Sequence, residues 1–174
     1  MTVPTGVTDA DFAGWIPTDE AVLCFCLRTA ASGGEEILLI EKKRGLGGGK
    51  VNGPGGKLED GESHEQAARR ETEEEVGLLA SELCPAGVLS FAFADGYGIR
   101  AHVFLCRSFS GTPIETAEAL PFWCPVETIP FERMWADDRE WLPRVLAGES
   151  VTGRFVFSGD TMLAHELEFS ARGC

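Results

Sequence analysis

The chain has 174 residues, 44% of them apolar and 25% charged, and a formal net charge of −13. That length suits one domain around one core, and the composition is that of a soluble globular protein. The acidity argues against nonspecific binding to nucleic acid or an anionic membrane, since each requires a basic face; a small anionic ligand stays open if metal ions or a local basic patch neutralise it.

Residues 1–19 carry little pattern and read as an N-terminal arm ahead of a single domain, 20–174. They lack the basic start and apolar stretch of a secretory signal, and no run approaches the length of a membrane span, so a monomeric cytoplasmic protein is expected. AVLCFCLR (21–28) and EILLIEKK (36–43) are apolar enough for strands, with AASGGE supplying the turn between them. RGLGGGKVNGPGG (44–56) holds seven glycines and a proline and reads as a loop. A helix follows: Ser63 with Gln66 three residues on forms a capping box, and Gly77 is a C-terminal stop. VLSFAFA (88–94) and IRAHVFLCR (99–107) flank DGYG as a hairpin, and FWCPVETI (122–129) is a short extended segment. DREWLPRVLAG (138–148) reads as a helix limited by Pro143, and RFVFSGD with TMLAHELEF closes the chain as another hairpin. Mostly short antiparallel strands mixed with helices predict an α+β layer fold.

Six cysteines, at 24, 26, 84, 106, 124 and 174, form no CxxC and no zinc-spaced Cys/His cluster. They are expected to be reduced thiols acting as small apolar residues. Cys24 and Cys26, two apart on a strand, share a face and cannot easily bridge each other. His64, His102 and His165 are scattered and read as structural or surface residues.

The unusual stretch is ETEEE (71–75), four glutamates directly after Arg69 and Arg70. Like charges this close on a helix repel, by about 0.2–0.5 kcal/mol per i,i+4 pair. At about 100° per residue, Glu71, Glu74 and Glu75 lie within about 100° of arc and Glu73 falls on the far side. Ala68, Thr72 and Val76 leave only a thin apolar stripe, so the helix reads as a presenter of charge and a poor core element. Hard divalent cations take oxygen ligands, and Mg²⁺ combines one or two carboxylates with water and substrate phosphates. Three acids on one face can hold such an ion; a solvated acidic face paired with the two arginines is the alternative. The glycine-rich loop just ahead favours the ion, because glycine lets backbone approach a ligand and Gly55 or Gly56 can offer a carbonyl.

The spacing is distinctive: Gly56, five residues, Glu62, seven residues, then Arg70-Glu71-Thr72-Glu73-Glu74-Glu75-Val76-Gly77-Leu78. It resembles the Nudix box, GX5EX7REUXEEXGU with U aliphatic, and departs from it only in Thr72 at a U position. The resemblance implies an α/β/α sandwich: a mixed, mostly antiparallel sheet with helices on both faces. It also implies hydrolysis of a nucleoside diphosphate linked to another moiety, with Mg²⁺ or Mn²⁺ as cofactor. Carried over, Glu71, Glu74 and Glu75 are metal ligands with the Gly55 carbonyl, and Arg70 orients a glutamate. The proton acceptor is Glu74, Glu71 or Glu118, the last matching a further acid near the metal.

The flanks KKRGLGGGKVNGPGGK (42–57), FWCPVETIPF (122–131) and MWADDREWLP (134–143) resemble the vertebrate branch of the family that hydrolyses 8-oxo-dGTP. That implies a nucleoside triphosphate as the small-molecule partner. Lys42 and Asn52 then line its pocket and Pro54, Gly55, Gly56 and Lys57 border it. Trp135 stacks on the purine, Asp137 and Asp138 bond its edge, and Phe91 and Phe93 form an apolar wall. Of the two acids, Asp137 is expected to be the protonated one. Trp135 as plain core and the aspartates as a helix start remain alternatives. Leu46, Val51 and Pro54 stand where that branch has aromatics, so a differently shaped pocket is expected. Nucleotide sugars, dinucleoside polyphosphates, capped RNA and a catalytically silent nucleotide-binding regulator are the competing functions.

Overall fold

The computed structural model describes residues 6–174; the first five residues of the expected arm lie outside that span. The described residues form nine strands and two α-helices: β1 Asp19–Thr29, β2 Glu35–Lys42, β3 Val51–Asn52, β4 Gly55–Lys57, α1 His64–Val76, β5 Leu79–Phe93, β6 Gly98–Ser110, β7 Ala119–Pro125, α2 Asp138–Leu146, β8 Glu149–Ser158 and β9 Thr161–Ala171. The sheet runs β3-β2-β1-β6-β5-β8-β9, with β4 pairing β1 and β7 pairing β2. The β1–β6 and β5–β8 pairs are parallel and the rest antiparallel, so the expected mixed, mostly antiparallel sheet is what forms.

Strand periodicity divides the interior in two. Phe25 and Leu27 of β1 and Ile37 and Leu39 of β2 point into one core, with Trp141, Leu142 and Val145 of α2. Cys24, Cys26, Leu38 and Ile40 point into the other, beneath Ala67, Ala68 and Val76 of α1. A helix therefore covers each face of the sheet. Cys24 and Cys26 do share a face, as their spacing requires.

Helix α1 starts and stops where its sequence directs. The Ser63 hydroxyl accepts from Gln66 N while the Gln66 side chain accepts from Ser63 N, and Gly77 takes the left-handed conformation at φ 77°. The expectation that α1 makes a poor core element is overturned. Ala67, Ala68, Thr72 and Val76 are fully buried; small side chains let the helix ride close to the sheet, so a narrow stripe suffices. Thr72 is tolerated in this stripe because its hydroxyl donates to the Ala68 carbonyl at 2.7 Å.

Three further expectations change. The loop over 44–56 is broken by β3 and the start of β4, which turn Val51 into the α2-side core and bury Pro54, whose carbonyl accepts from Cys24 N at 2.8 Å. The arm is docked: Thr18 N donates to the Gly98 carbonyl at 2.7 Å, and Arg100 and Arg154 lie over the rings of Trp15 and Phe12. Not every cysteine is a free thiol. Cys84 and Cys174, 90 residues apart, form a disulfide because β9 returns the C-terminus to β5's neighbourhood; Cys24, Cys26, Cys106 and Cys124 are buried and free.

Candidate active site

A cleft of about 790 Å³ opens between α1 and the segment leading into α2, a size ordinary for a small-ligand site. One end is acidic. Glu71, Glu74 and Glu75 reach it from α1, and Glu118 from the loop before β7. Glu73 is exposed and absent from its walls, as the helical phase requires.

Arg70 organises the acidic wall. Its Nε and Nη2 donate to the two oxygens of Glu62 at 2.7 and 2.9 Å, and Nη1 donates to Glu71 at 2.8 Å and Glu74 at 3.2 Å. Nη2 also donates to the Lys57 carbonyl at 3.0 Å, tying helix to loop. One planar cation thus holds three carboxylates that would otherwise repel. Gly56 is required for close approach: a Cβ there would fall 2.3–2.5 Å from the Glu71 carboxyl atoms. Gly55 lines the cleft, and its N–H donates to Glu75 at 3.4 Å.

Glu75 is the buried member, 6% exposed. Burial pushes its carboxyl up to about 7, helped by the charges of Glu71 and Glu118 and opposed by the Gly55 N–H and Lys42. Burial also raises Glu71 against the pull of Arg70. Glu118 behaves oppositely: Arg44 pairs with it and holds it low. The donor set fits a hard divalent cation. It is all oxygen, gathered on one wall, and includes a carboxyl whose ionisation an added positive charge would relieve.

The other end is a flat apolar slot. Phe91 and Phe93 of β5 and Trp135 line it, backed by Phe157 edge-on to Trp135 with ring centroids 5.6 Å apart. Trp135 is half-buried, and Gly47 closes on its edge, where a Cβ would sit 2.7 Å from Nε1. Asp137 and Asp138 lie at the slot's floor, 2% and 3% exposed. Neither caps α2: Asp137 precedes it in a helical conformation with no side-chain cap bond. Trp141 Nε1 donates to Asp137 Oδ2 at 2.9 Å, whereas Asp138 Oδ2 has no partner.

Burial pushes Asp137 up to about 6, with the Trp141 N–H opposing. Asp138 is driven well higher, by burial first and then by the charge of Asp137. The Trp141 N–H supports an anion on Asp137, whereas Asp138 Oδ2 has no donor, so the geometry favours Asp138 over the expected Asp137 as the protonated member.

Between the two ends stand Lys42, Arg44, Asn52, Gly55, Gly56 and Lys57. Pro54, expected at the border, does not reach the cleft, because its bonded backbone faces β1. Arg44 and Leu46 line the cleft, and so do Asp95 and Tyr97, which no motif singled out. Tyr97 donates to Asp19 at 2.8 Å beside the Lys57–Asp19 pair at 2.9 Å. An aromatic at the tip of the DGYG hairpin, next to Phe91 and Phe93, was the available signal. Lys50 Nζ lies 5.2 Å from the Trp135 ring centroid, a contact no local pattern announces.

An oxygen-donor wall, a belt of cations and a flat slot with a buried acid pair define a site for an anionic ligand with an aromatic head. The family model for the NUDIX domain matches residues 17–145, and the chain belongs to the Nudix family of hydrolases. It is 42% identical over 134 residues to the oxidized purine nucleoside triphosphate hydrolase of Danio rerio, covering 76% of this chain and 86% of that protein. It is 39% identical over 135 residues to the enzyme of the same name from Mus musculus, with the same coverage. The MutT protein of Bacillus halodurans has the same fold, with a TM-score of 0.74 over 86% of this chain and 97% of that one at 23% identity.

Proposed function

We propose that the chain hydrolyses oxidised purine nucleoside triphosphates to monophosphate and pyrophosphate, with Mg²⁺ or Mn²⁺ held at the acidic wall. The observation that carries this reading is the pairing, in one cleft, of the glutamate wall with an aromatic slot floored by a protonatable acid. The names of the zebrafish and mouse relatives agree with it.

In this reading Glu71, Glu74 and Glu75 hold the cation, with the Gly55 carbonyl beside them. The cation supplies polarisation of a phosphate and a lower pKa for an attacking water. Arg70 keeps Glu71 and Glu74 in place, the Gly55 N–H meets Glu75, and Glu74, the most exposed of the three, accepts the water's proton. Lys42, Arg44 and Lys57 balance the triphosphate charge on an otherwise acidic protein. The base lies against Trp135 between Phe91 and Phe93. Asp138, protonated, donates to an acceptor on its edge; Asp137, ionised, accepts from a donor there, and Asn52 adds an amide. A carboxylate only accepts, so an edge that mixes donors and acceptors is met best by one acid in each state. Residues 20–174 act as one domain, with the arm as an accessory packed on the sheet.

The test is a panel of normal and oxidised nucleoside triphosphates at low concentration with Mg²⁺. Pyrophosphate should be released, and an oxidised purine should give the highest kcat/KM. Release of orthophosphate, or equal rates on normal and oxidised purines, would overturn the proposal.

A further inference from the structure

Three side chains remote in sequence meet beside the first turn of α1. Glu20 comes from β1, His102 from β6, and His64 is the first residue of α1. β1 and β6 run parallel with Val22 opposite His102 and Glu20 opposite Arg100. Glu20 and His102 are therefore diagonal neighbours on the α1 face. The His64 and His102 rings stack with centroids 3.5 Å apart and planes 25° from parallel. His102 Nε2 lies 3.2 Å from Glu20 Oε2, and His64 Nε2 lies 3.9 Å from the same oxygen. One ligand atom from each residue falls within 4.8 Å of the other two.

Arg100 donates to the other oxygen, Glu20 Oε1, at 3.0 Å. That bond fixes the carboxylate and leaves Oε2 turned to the imidazoles, as an outer partner orients a metal-binding carboxylate. The side chains of Glu20, His64 and His102 are 34%, 42% and 22% exposed, so an ion can reach them from solvent. None of the three lines the catalytic cleft.

Two imidazoles and a carboxylate are the donors of three-ligand zinc sites that keep one position for water. Zn–N bonds of about 2.0–2.1 Å at a tetrahedral angle put two nitrogens about 3.4 Å apart. The two nitrogen-to-Oε2 distances, 3.2 and 3.9 Å, bracket that spacing. Imidazole suits zinc, nickel, copper and cobalt, whereas Mg²⁺ takes oxygen. This cluster and the glutamate wall therefore select different ions.

We propose that Glu20, His64 and His102 form a second metal site, for zinc or another imidazole-preferring divalent transition metal. The ion joins β1 and β6 to the first residue of the helix that carries Glu71, Glu74 and Glu75 seven residues and more further along. It acts as a clamp on that helix and takes no part in the hydrolysis.

The experiment uses the full chain, stripped by a chelator and then held in saturating Mg²⁺ so that the glutamate wall is occupied. It is titrated with Co²⁺, then Zn²⁺. Wild type should bind one equivalent of Co²⁺ with the visible bands of a four-coordinate nitrogen–oxygen site, and Zn²⁺ should displace it and raise Tm. His64→Gln, at a half-exposed position where folding is safe, should weaken Co²⁺ binding by about tenfold or more and remove the Tm rise. Mg²⁺-dependent hydrolysis by that variant should be unchanged. His102→Gln should repeat the loss of Co²⁺ affinity. Absence of Co²⁺ and Zn²⁺ binding up to about 1 mM would overturn the proposal, as would wild-type affinity in His64→Gln. Binding that survives both histidine variants and disappears in Glu75→Gln would also overturn it, by assigning the ion to the glutamate wall.

Discussion

The two ends of the cleft both rely on carboxyl groups, and they ask opposite things of them. At the acidic wall, Glu71, Glu74 and Glu75 come from one helix, and Arg70 braces Glu71 and Glu74. In the proposed function their use lies in being charged, and a bound cation would reward each lost proton. At the slot, Asp137 and Asp138 are buried in apolar surroundings, with one N–H donor on Asp137 and none on Asp138 Oδ2. In the proposed function their use lies in one of them staying neutral. The side-chain chemistry is the same; burial and neighbouring charge decide the protonation state.

The sharpest way to break that contrast is to neutralise the wall without changing its shape. Glu74→Gln and Glu75→Gln should each lower kcat by about a hundredfold or more, the scale on which single electrostatic contributors to a reaction centre act. Glu73→Gln should cost little, because residue 73 faces solvent. Steady-state kinetics at saturating Mg²⁺ measures all three. If Glu73→Gln were as damaging as the others, the wall would be a general acidic field and not a set of placed ligands.

The slot should respond in binding. Trp135→Ala removes stacking worth about 1–3 kcal/mol, which should appear as a raised KM with a smaller change in kcat; Trp135→Phe should lose much less. Trp135 also meets Phe93 and Phe157 edge-on, so circular dichroism of the alanine variant is the needed companion. A folded variant with unchanged KM would remove the tryptophan from the recognition of the base.

The wall was legible in the sequence because its parts are consecutive. Helical phase placed Glu71, Glu74 and Glu75 together, the capping box and Gly77 set the ends of α1, and Gly56 anticipated a close approach. The slot was only partly so. The alternation of Phe91 and Phe93 showed one wall, but Trp135, Asp137 and Asp138 were reached through resemblance, since nothing local says that the segment before α2 faces β5. Pro54 sits between the lining residues Gly53 and Gly55 without lining the cleft itself; composition marks a loop without showing which side its backbone bonds, and here it bonds Cys24. Which aspartate holds the proton was not legible from their adjacency; the readable hint is Trp141, four residues on from Asp137 and at helical spacing to donate to it. The Cys84–Cys174 bridge and the Glu20–His64–His102 cluster depend on strand order and on the parallel β1–β6 register, which no spacing rule encodes.

The finest distinction between the two ends is the sign of their pH dependence, with an expected change of at most about tenfold per pH unit for one proton. Glu75 is raised to about 7 in the ion-free protein. It must release its proton to bind a cation, so Mg²⁺ affinity should fall as pH drops through about 7. The same shift acts on the ion-free fold: an unfolded glutamate ionises near 4.3, so stability should decline as pH rises from there through 7, and Mg²⁺ should restore it. Asp138 is raised for a different purpose. If its proton is donated to the purine, affinity for an oxidised nucleotide should fall as pH rises through its elevated pKa, the reverse of the metal's behaviour. Asp138→Asn keeps a donor and an acceptor and cannot titrate, so it should bind better than Asp138→Ala and flatten this limb. The measurements are Kd for Mg²⁺ without nucleotide across pH 5 to about 9, and Kd for an oxidised nucleoside monophosphate without metal from about pH 7 upward, where Asp137, raised to about 6, is already ionised. Metal affinity climbing while nucleotide affinity drops would establish two oppositely poised carboxyl sites in one cleft. Parallel slopes would show that a single titration governs both, and the assignment of separate roles to Glu75 and Asp138 would fail.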